Sequence, residues 1–391
     1  MSLQKTNAGS RFHIGFFGRV NVGKSSLINA LVGRELSIVS EKAGTTTDPV
    51  YKSMEIQSLG PCLLMDTAGF MDQTELGRLR MKKTKEVMQK SDLAVLVVSD
   101  LPTKEEVDFI KDLGDTPLLV VLNKVDQLEE EKKEEILKAY EKHRTILVSS
   151  KTKEGIDKLL QAFLSFAPKS EDYLFEGMVK EKDLVLLVIP QDIAAPKNRL
   201  ILPQVQAIRE LLDRSCLVLM VKLEGLEDIL QKLNCPPKLI VADSSVFQEV
   251  FLKKPEESKL TSFSILFAKM KGDLSVYLEG IEALKHLKEG SKVLIAEACS
   301  HAPTEEDIGR VKIPNMIRKA ISPNIECSIQ SGTLLPDDIE GYDLIIQCGA
   351  CMLNGKAVKN RIKFAKEKSI PITNYGMAIA YFQGILDKIS Y

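Results

Sequence analysis

Positions 18–25 read GRVNVGKS, two glycines separated by four residues, with lysine and serine after the second. Backbone N–H groups of such a loop wrap phosphate oxygens, Lys24 reaches the terminal phosphates, and the Ser25 hydroxyl ligates magnesium. Gly18, Gly23, Lys24, Ser25 and Ser26 therefore form a candidate nucleoside-triphosphate site. Three later segments select the base. In DTAG, at 66–69, Asp66 ends an apolar run and can hold magnesium through water, while the Gly69 amide faces a terminal phosphate. In NKVD, at 123–126, Asn123 and Lys124 precede Asp126, whose carboxylate accepts two N–H donors that guanine offers and adenine lacks. In SSK, at 149–151, a backbone amide within Ser149, Ser150 and Lys151 comes against the guanine O6.

A second set of chemically able residues lies in the last third. EACSH carries Cys299 and His301, and QCGACM carries Cys348 and Cys351. Each thiol group follows an expected strand, 293–296 and 344–346, at the carboxyl end where open α/β sheets place ligand sites and where helix N-termini favour thiolate. A helix over 308–321 and a strand over 325–328 lie between them. In a doubly wound 2-1-3 order the first and third strands are neighbours, which brings the Cys299 and Cys348 backbones within about 10 Å. Cys351 then falls on the first turn of the next helix. Three converging cysteines suit an iron-sulfur cluster, a zinc site completed by His301, or a redox pair with a bystander.

These residues need several sheets to position them. Strand-like runs alternate with helical periods along all 391 residues, which predicts parallel α/β architecture throughout: an N-terminal P-loop domain followed by two further parallel α/β domains. The expected boundaries are 1–167 for nucleotide binding, 168–269 for a middle domain and 270–391 for the cysteine-bearing domain. The first closes with a helix over 156–166, and the polar stretch from Pro168 to Gly177 reads as a linker. In the middle domain the expected strands are 184–189, 217–221, 239–242 and 263–267, with helices over 204–213 and 226–233. Cys216 and Cys235 read as packing residues, and the charged run 129–135 as a solvated helix face.

Composition limits the partners. The net charge is −1, and the last hundred residues carry 12 Lys and Arg against 11 Asp and Glu, which gives no nucleic-acid footprint. No apolar run approaches 18 residues and the first ten lack a signal-type apolar core, so a cytoplasmic protein without membrane contact is expected, its seven cysteines reduced.

The N-terminal half resembles the translation-factor-related GTPases, especially the tRNA-modification and ribosome-assembly branch with N-x-G-K-S in its P-loop. That resemblance implies a potassium ion held with the help of Asn21, supplying charge where other GTPases use an arginine. GTTTD at 44–48 looks like a switch segment, with Thr46 matching the magnesium-ligating threonine and Thr45 and Thr47 on either side. Lys24, Asn21 and Thr46 are thus the expected catalytic set. Phe70 stands where Ras-type enzymes carry a water-orienting Gln, so hydrolysis should be slow or assisted by potassium.

Over essentially its full length the chain resembles the maturation GTPases of di-iron hydrogenases, the HydF family. The family signature, Cys-x-His and about fifty residues later His-Cys-x-x-Cys, is matched by Cys299, His301, Cys348 and Cys351, with DIGRVKIP at 307–314 also family-like. The resemblance implies a 4Fe-4S cluster on the three cysteines and a scaffold or carrier role for a di-iron precursor bearing carbonyl and cyanide. It also implies radical-SAM maturases and the hydrogenase apoprotein as partners, and a homodimer or higher assembly through the middle domain. Gln347 departs from the family's second His, which leaves His301, a carboxylate among Glu305, Glu306 and Asp307, or solvent as fourth ligand. The acidic trio also suits the following helix N-terminus, and Arg310, Lys312 and Arg361 read as surface-paired cations or as anchors for anionic cargo. A tRNA-modification or ribosome-assembly GTPase and a zinc-binding regulatory GTPase are the alternative readings.

Overall fold

A computed structural model describes residues 9, 11–33, 49–56, 59–69, 75–167, 173–190, 200–298 and 307–391, with the backbone but not the side chains of 75–80. The chain divides into two compact units, Met1–Ser170 and Glu171–Tyr391.

The first unit is built on β1 (Phe12–Phe17), β2 (Val50–Ile56), β3 (Gly60–Asp66), β4 (Leu93–Val98), β5 (Leu118–Leu122) and β6 (Thr145–Leu147), ordered β2-β3-β1-β4-β5-β6. Every residue of β1 and β4 is buried, as strands covered on both faces require. One pairing departs from the all-parallel expectation. β2 runs antiparallel to β3 because only residues 57–59 join them, far too few for a crossover.

The second unit holds two four-stranded parallel sheets. β7 (Leu184–Val188), β8 (Leu217–Val221), β9 (Leu239–Ala242) and β10 (Lys259–Ser262) are ordered β10-β9-β7-β8. β11 (Lys292–Glu297), β12 (Glu326–Ser331), β13 (Leu344–Gln347) and β14 (Ile372–Asn374) are ordered β12-β11-β13-β14, so the strands leading to the two cysteine segments are neighbours, as the 2-1-3 order predicts. Between Asp307 and Ala320 the expected single helix is a π-helical turn, Ile308–Lys312, continued by the α-helix Ile313–Ala320.

The expected strand over 263–267 is instead the helix Phe263–Lys271, preceded by the strand β10. Ser262 caps it, its hydroxyl accepting from the Ile265 N–H. The misleading apolar run has a packing cause. Phe263, Leu266 and Phe267 pack with Val185, Leu187 and Val241 of the middle sheet, whereas Ile265 and Ala268 join a cluster with Leu294 and Ile345 of the last sheet. A helix buried on opposite sides shows no polar face. That second cluster also contains Ile240, Phe247, Ile372 and Met377, so both sheets of this unit contribute to one core.

Cys216 is buried in the cluster with Val185, Leu187 and Val241, but Cys235 is exposed, so the packing role expected for both holds only for Cys216. Among the described residues no helix is long and apolar enough to cross a membrane.

Candidate functional site

The phosphate end begins where β1 gives way to the loop before the helix Lys24–Val32, whose unsatisfied N–H groups form an anion site. Gly23 caps this helix at φ +96°, and a Cβ there would lie 2.4 Å from Asn123 Nδ2, so only glycine lets the base-recognition strand approach the loop so closely. Lys24 is buried, and its ammonium donates to the carbonyls of Gly18 and Arg19, both at 2.9 Å. Burial lowers Lys24 to about 8, with Asp66 pulling the other way.

The Ser25 hydroxyl donates to Asp66 Oδ2 at 2.5 Å, and Asp66 Oδ1 is buried with no hydrogen-bond partner among the described residues. Burial raises the Asp66 carboxyl against the opposing pull of Ser25 and Lys24. A hydroxyl and an orphaned carboxylate oxygen beside a phosphate loop are the oxygen donors that magnesium takes, so this chain's own residues fit the ion. Gly69 is described and lies against Val20 of the loop. Thr46 with Thr45 and Thr47, and Phe70, lie outside the described residues.

Asn123 ties the base end together. Its Nδ2 donates to the Val22 carbonyl at 2.9 Å, while Oδ1 accepts from the Ser150 N–H at 3.1 Å and the Ser150 hydroxyl at 2.9 Å. Lys124, in the left-handed region at φ +63°, donates to the Asn21 carbonyl at 2.7 Å. Ser149 is buried and accepts from the Thr152 N–H, whereas Asp126 and Lys151 are exposed at the open end. One asparagine thus links its own segment to a loop 101 positions upstream and to a serine 27 positions downstream. Ser26 and Asn21 stand exposed on the phosphate side.

The sequence reading missed a support behind the loop. Buried Glu106 accepts from Arg19 Nε and from the Tyr140 hydroxyl, both at 3.1 Å, and completes a capping box with Thr103. The T-x-x-E spacing before an apolar-periodic helix was the available signal.

In the second unit, β11 and β13 pair in register, Ala296 opposite Gln347. Beyond that pair the Cys348 N–H donates to the Ala296 carbonyl at 3.0 Å, and the Ala298 N–H donates to Cys348 Sγ at 3.1 Å. Cys348 is therefore held against the residue that precedes Cys299. Cys299, His301, Glu305 and Glu306 lie outside the described residues, among which no group of three or more His, Cys, Asp and Glu side chains converges.

Cys351 departs from its expected place. It sits in a turn ahead of the helix Gly355–Glu367, which Asn354 caps, rather than on the first helical turn. Burial, reinforced by the nearby Cys348, pushes its thiol up, contrary to the expectation that a helix N-terminus favours thiolate. Gln347 is buried, its amide donating to the Tyr277 hydroxyl, while its Oε1 has no hydrogen-bond partner among the described residues.

Two buried cations border this loop. Lys271, at the end of the helix Phe263–Lys271, donates to the carbonyls of Leu353 at 2.7 Å, Ala350 at 3.2 Å and Cys351 at 3.3 Å. Burial lowers it to about 8, with Cys351 and Cys348 opposing. Arg361 is 3% exposed and donates to the carbonyls of Thr333 at 2.9 Å, Glu297 at 3.2 Å and Gly332, leaving Nη1 without a hydrogen-bond partner among the described residues. The surface pairing expected of Arg361 is thus absent. Arg310 instead pairs with buried Glu297 at 2.8 Å. Within DIGRVKIP, Asp307 caps the π-helical turn through the Arg310 N–H at 2.8 Å. Gly309 makes room for Tyr375, whose hydroxyl lies 2.0 Å from where a Cβ would stand. Two thiols near a buried guanidinium with one unmatched nitrogen fit an anionic, thiolate-held metal group.

The family model described as the hydrogen maturase F dimerization domain matches residues 174–272, and that of the hydrogen maturase F tetramerization domain matches 275–390, together more than half of the chain. The chain belongs to the hydrogen maturase F family. A third model, described as a 50S ribosome-binding GTPase, matches 13–124 of this hydrogen maturase F chain.

The tRNA modification GTPase MnmE of Clostridioides difficile is 32% identical over 173 residues, 44% of this chain and 36% of that protein. GTPase Der of Wolinella succinogenes is 41% identical over 134 residues, 32% of this chain and 28% of that protein. The chain therefore spans about a third of the length of these curated relatives. Among solved structures, Aquifex aeolicus Era bound to GDP and AlF4− has a TM-score of 0.35 at 18% identity, covering 54% of this chain and 92% of that one. In this hydrogen maturase F member, Cys348 and Cys351 fall in the tetramerization match and Lys271 in the dimerization match.

Proposed function

We propose that this hydrogen maturase F chain is a cytoplasmic GTPase and an iron-sulfur scaffold that carries a di-iron precursor to the hydrogenase apoprotein. The observation that carries the reading is the Ala298 N–H bond to Cys348 Sγ, which draws the end of β11 onto the C-x-x-C loop in a chain that also has a GTPase domain. Cys299, Cys348 and Cys351 hold a 4Fe-4S cluster in this reading, with His301 as a fourth ligand or the position left open. Bound there, the cluster supplies iron with a coordination position that cysteine does not fill. The cargo is a di-iron unit with carbonyl and cyanide ligands, received from radical-SAM maturases. Anaerobic reconstitution followed by iron and sulfide analysis and electron resonance tests this reading. About four irons and four sulfides per chain support it, and stoichiometric zinc with no iron overturns it.

On the nucleotide side, Lys24 neutralises phosphate charge, Ser25, Thr46 and Asp66 serve magnesium, and Asp126 reads guanine. With Asn21 in the loop, potassium supplies the missing transition-state charge. Hydrolysis at equal ionic strength is then about tenfold faster in potassium than in sodium, about 1.4 kcal/mol of barrier, and Asn21→Ala erases the difference. Equal rates for the unsubstituted protein in the two salts would remove potassium from the account.

A second copy of the chain joins through the edge of the middle sheet. β8 is an edge strand, and Leu217 and Met220 on it are 58% and 54% exposed. An open apolar edge of this kind is a pairing surface. The double substitution Leu217→Lys, Met220→Glu is expected to yield monomers in sedimentation at micromolar concentration, where the unsubstituted chain is at least dimeric. An unchanged mass would place the interface elsewhere.

A further inference from the structure

The geometry points to Lys271 as the positioning residue of the cysteine loop, an ammonium from the middle segment that sets the path of residues 350–353 and places a fixed positive charge beside the thiol ligands. The inference rests on the metal reading above and deepens it.

Lys271 is 4% exposed, and among the described residues its ammonium donates to three backbone carbonyls of one short loop, those of Ala350, Cys351 and Leu353. Among the described residues no carboxylate pairs with it, and its other close partner is the Phe267 ring, 5.2 Å from the ammonium. Burying a cation without a counter-anion is strongly unfavourable. The arrangement makes sense when the missing anion is the thiolate group that the loop presents.

The loop also needs a brace. Ala350, between the two cysteines, adopts φ +49°, a conformation that a non-glycine residue holds only when its surroundings impose it. The lysine comes from the helix capped by Ser262, about 80 positions upstream in sequence. Here it closes three carbonyls over one point.

The experiment uses the full chain with Lys271→Met, which keeps most of the stem and removes charge and donors. In metal-free protein, amide exchange across 350–354 is expected to accelerate by about 100-fold while β11 and β13 keep their protection. After reconstitution, the cluster's reduction potential is expected to shift to more negative values, because a positive charge that favours the reduced form is gone. Loop exchange within threefold of the unsubstituted protein, or an unchanged potential, would overturn the inference. Should Lys271→Met fail to fold, Lys271→Arg replaces it: charge kept with donors displaced predicts faster loop exchange with an unshifted potential, and unchanged loop exchange overturns the proposal. The exchange measurement needs no metal. Failure of the unsubstituted protein to load iron therefore sinks the cluster reading alone, whereas an indifferent loop in a protein that loads iron sinks only the role of Lys271.

Discussion

Cys348→Ala or Cys351→Ala is expected to leave less than about a tenth of the iron bound by the unsubstituted protein after reconstitution, while GTP turnover stays within about twofold. In the proposed three-cysteine site, removing one thiolate would leave an iron without its anionic ligand, and Cys348→Ala also removes the acceptor for the Ala298 N–H. The nucleotide site stands in the unit Met1–Ser170 and the cysteine loop in Glu171–Tyr391, each with its own core. Parallel assays of iron, sulfide and phosphate release check the result. If hydrolysis fell in step with iron content, the separation of the two chemistries would be wrong.

The second large effect concerns the base. Asp126 is exposed at the open end of a site whose other base-side groups are already tied together by Asn123. In the proposed reading its two carboxylate oxygens accept two donors from guanine, and hydrogen bonds to a charged group contribute about 1.5–3 kcal/mol each. Asp126→Asn replaces one acceptor with a donor. GTP affinity should fall by about 10²–10³-fold, and xanthosine triphosphate, which offers a carbonyl where guanine has an amine, should gain in turn. Titration with a fluorescent analogue of each nucleotide measures the exchange. Unchanged GTP affinity would show that another residue reads the base.

Much of the candidate site was legible because its motifs end strands. The segments at 18–25, 66–69, 123–126 and 149–151 each follow an apolar run, and parallel strands deliver their carboxyl ends to one edge. The neighbouring positions of β11 and β13 followed from the same rule. What escaped depended on contacts distant in sequence. Lys271 lies just past the run read as a strand and drew no notice there, and only the loop carrying Cys351 shows it to be a buried cation with a role. Arg361 looked like a surface cation because the helix Gly355–Glu367 is otherwise rich in lysine. The helix Phe263–Lys271 was read as a strand since both of its faces are buried, which removes the periodicity that separates helix from strand.

The common core of the two later sheets has a bearing on inheritance. A crossover between Gly272 and Ser275 would leave Ile240 and Phe247 on one gene product and Leu294 and Ile345 on the other, each stripped of its packing partners. Among the described residues, none of the buried clusters spans the Ser170–Glu171 boundary. Residues 171–391, with their shared core, are therefore expected to pass from lineage to lineage as a block. Substitutions in the middle sheet are then under selection for the cysteine loop as well as for their own surroundings.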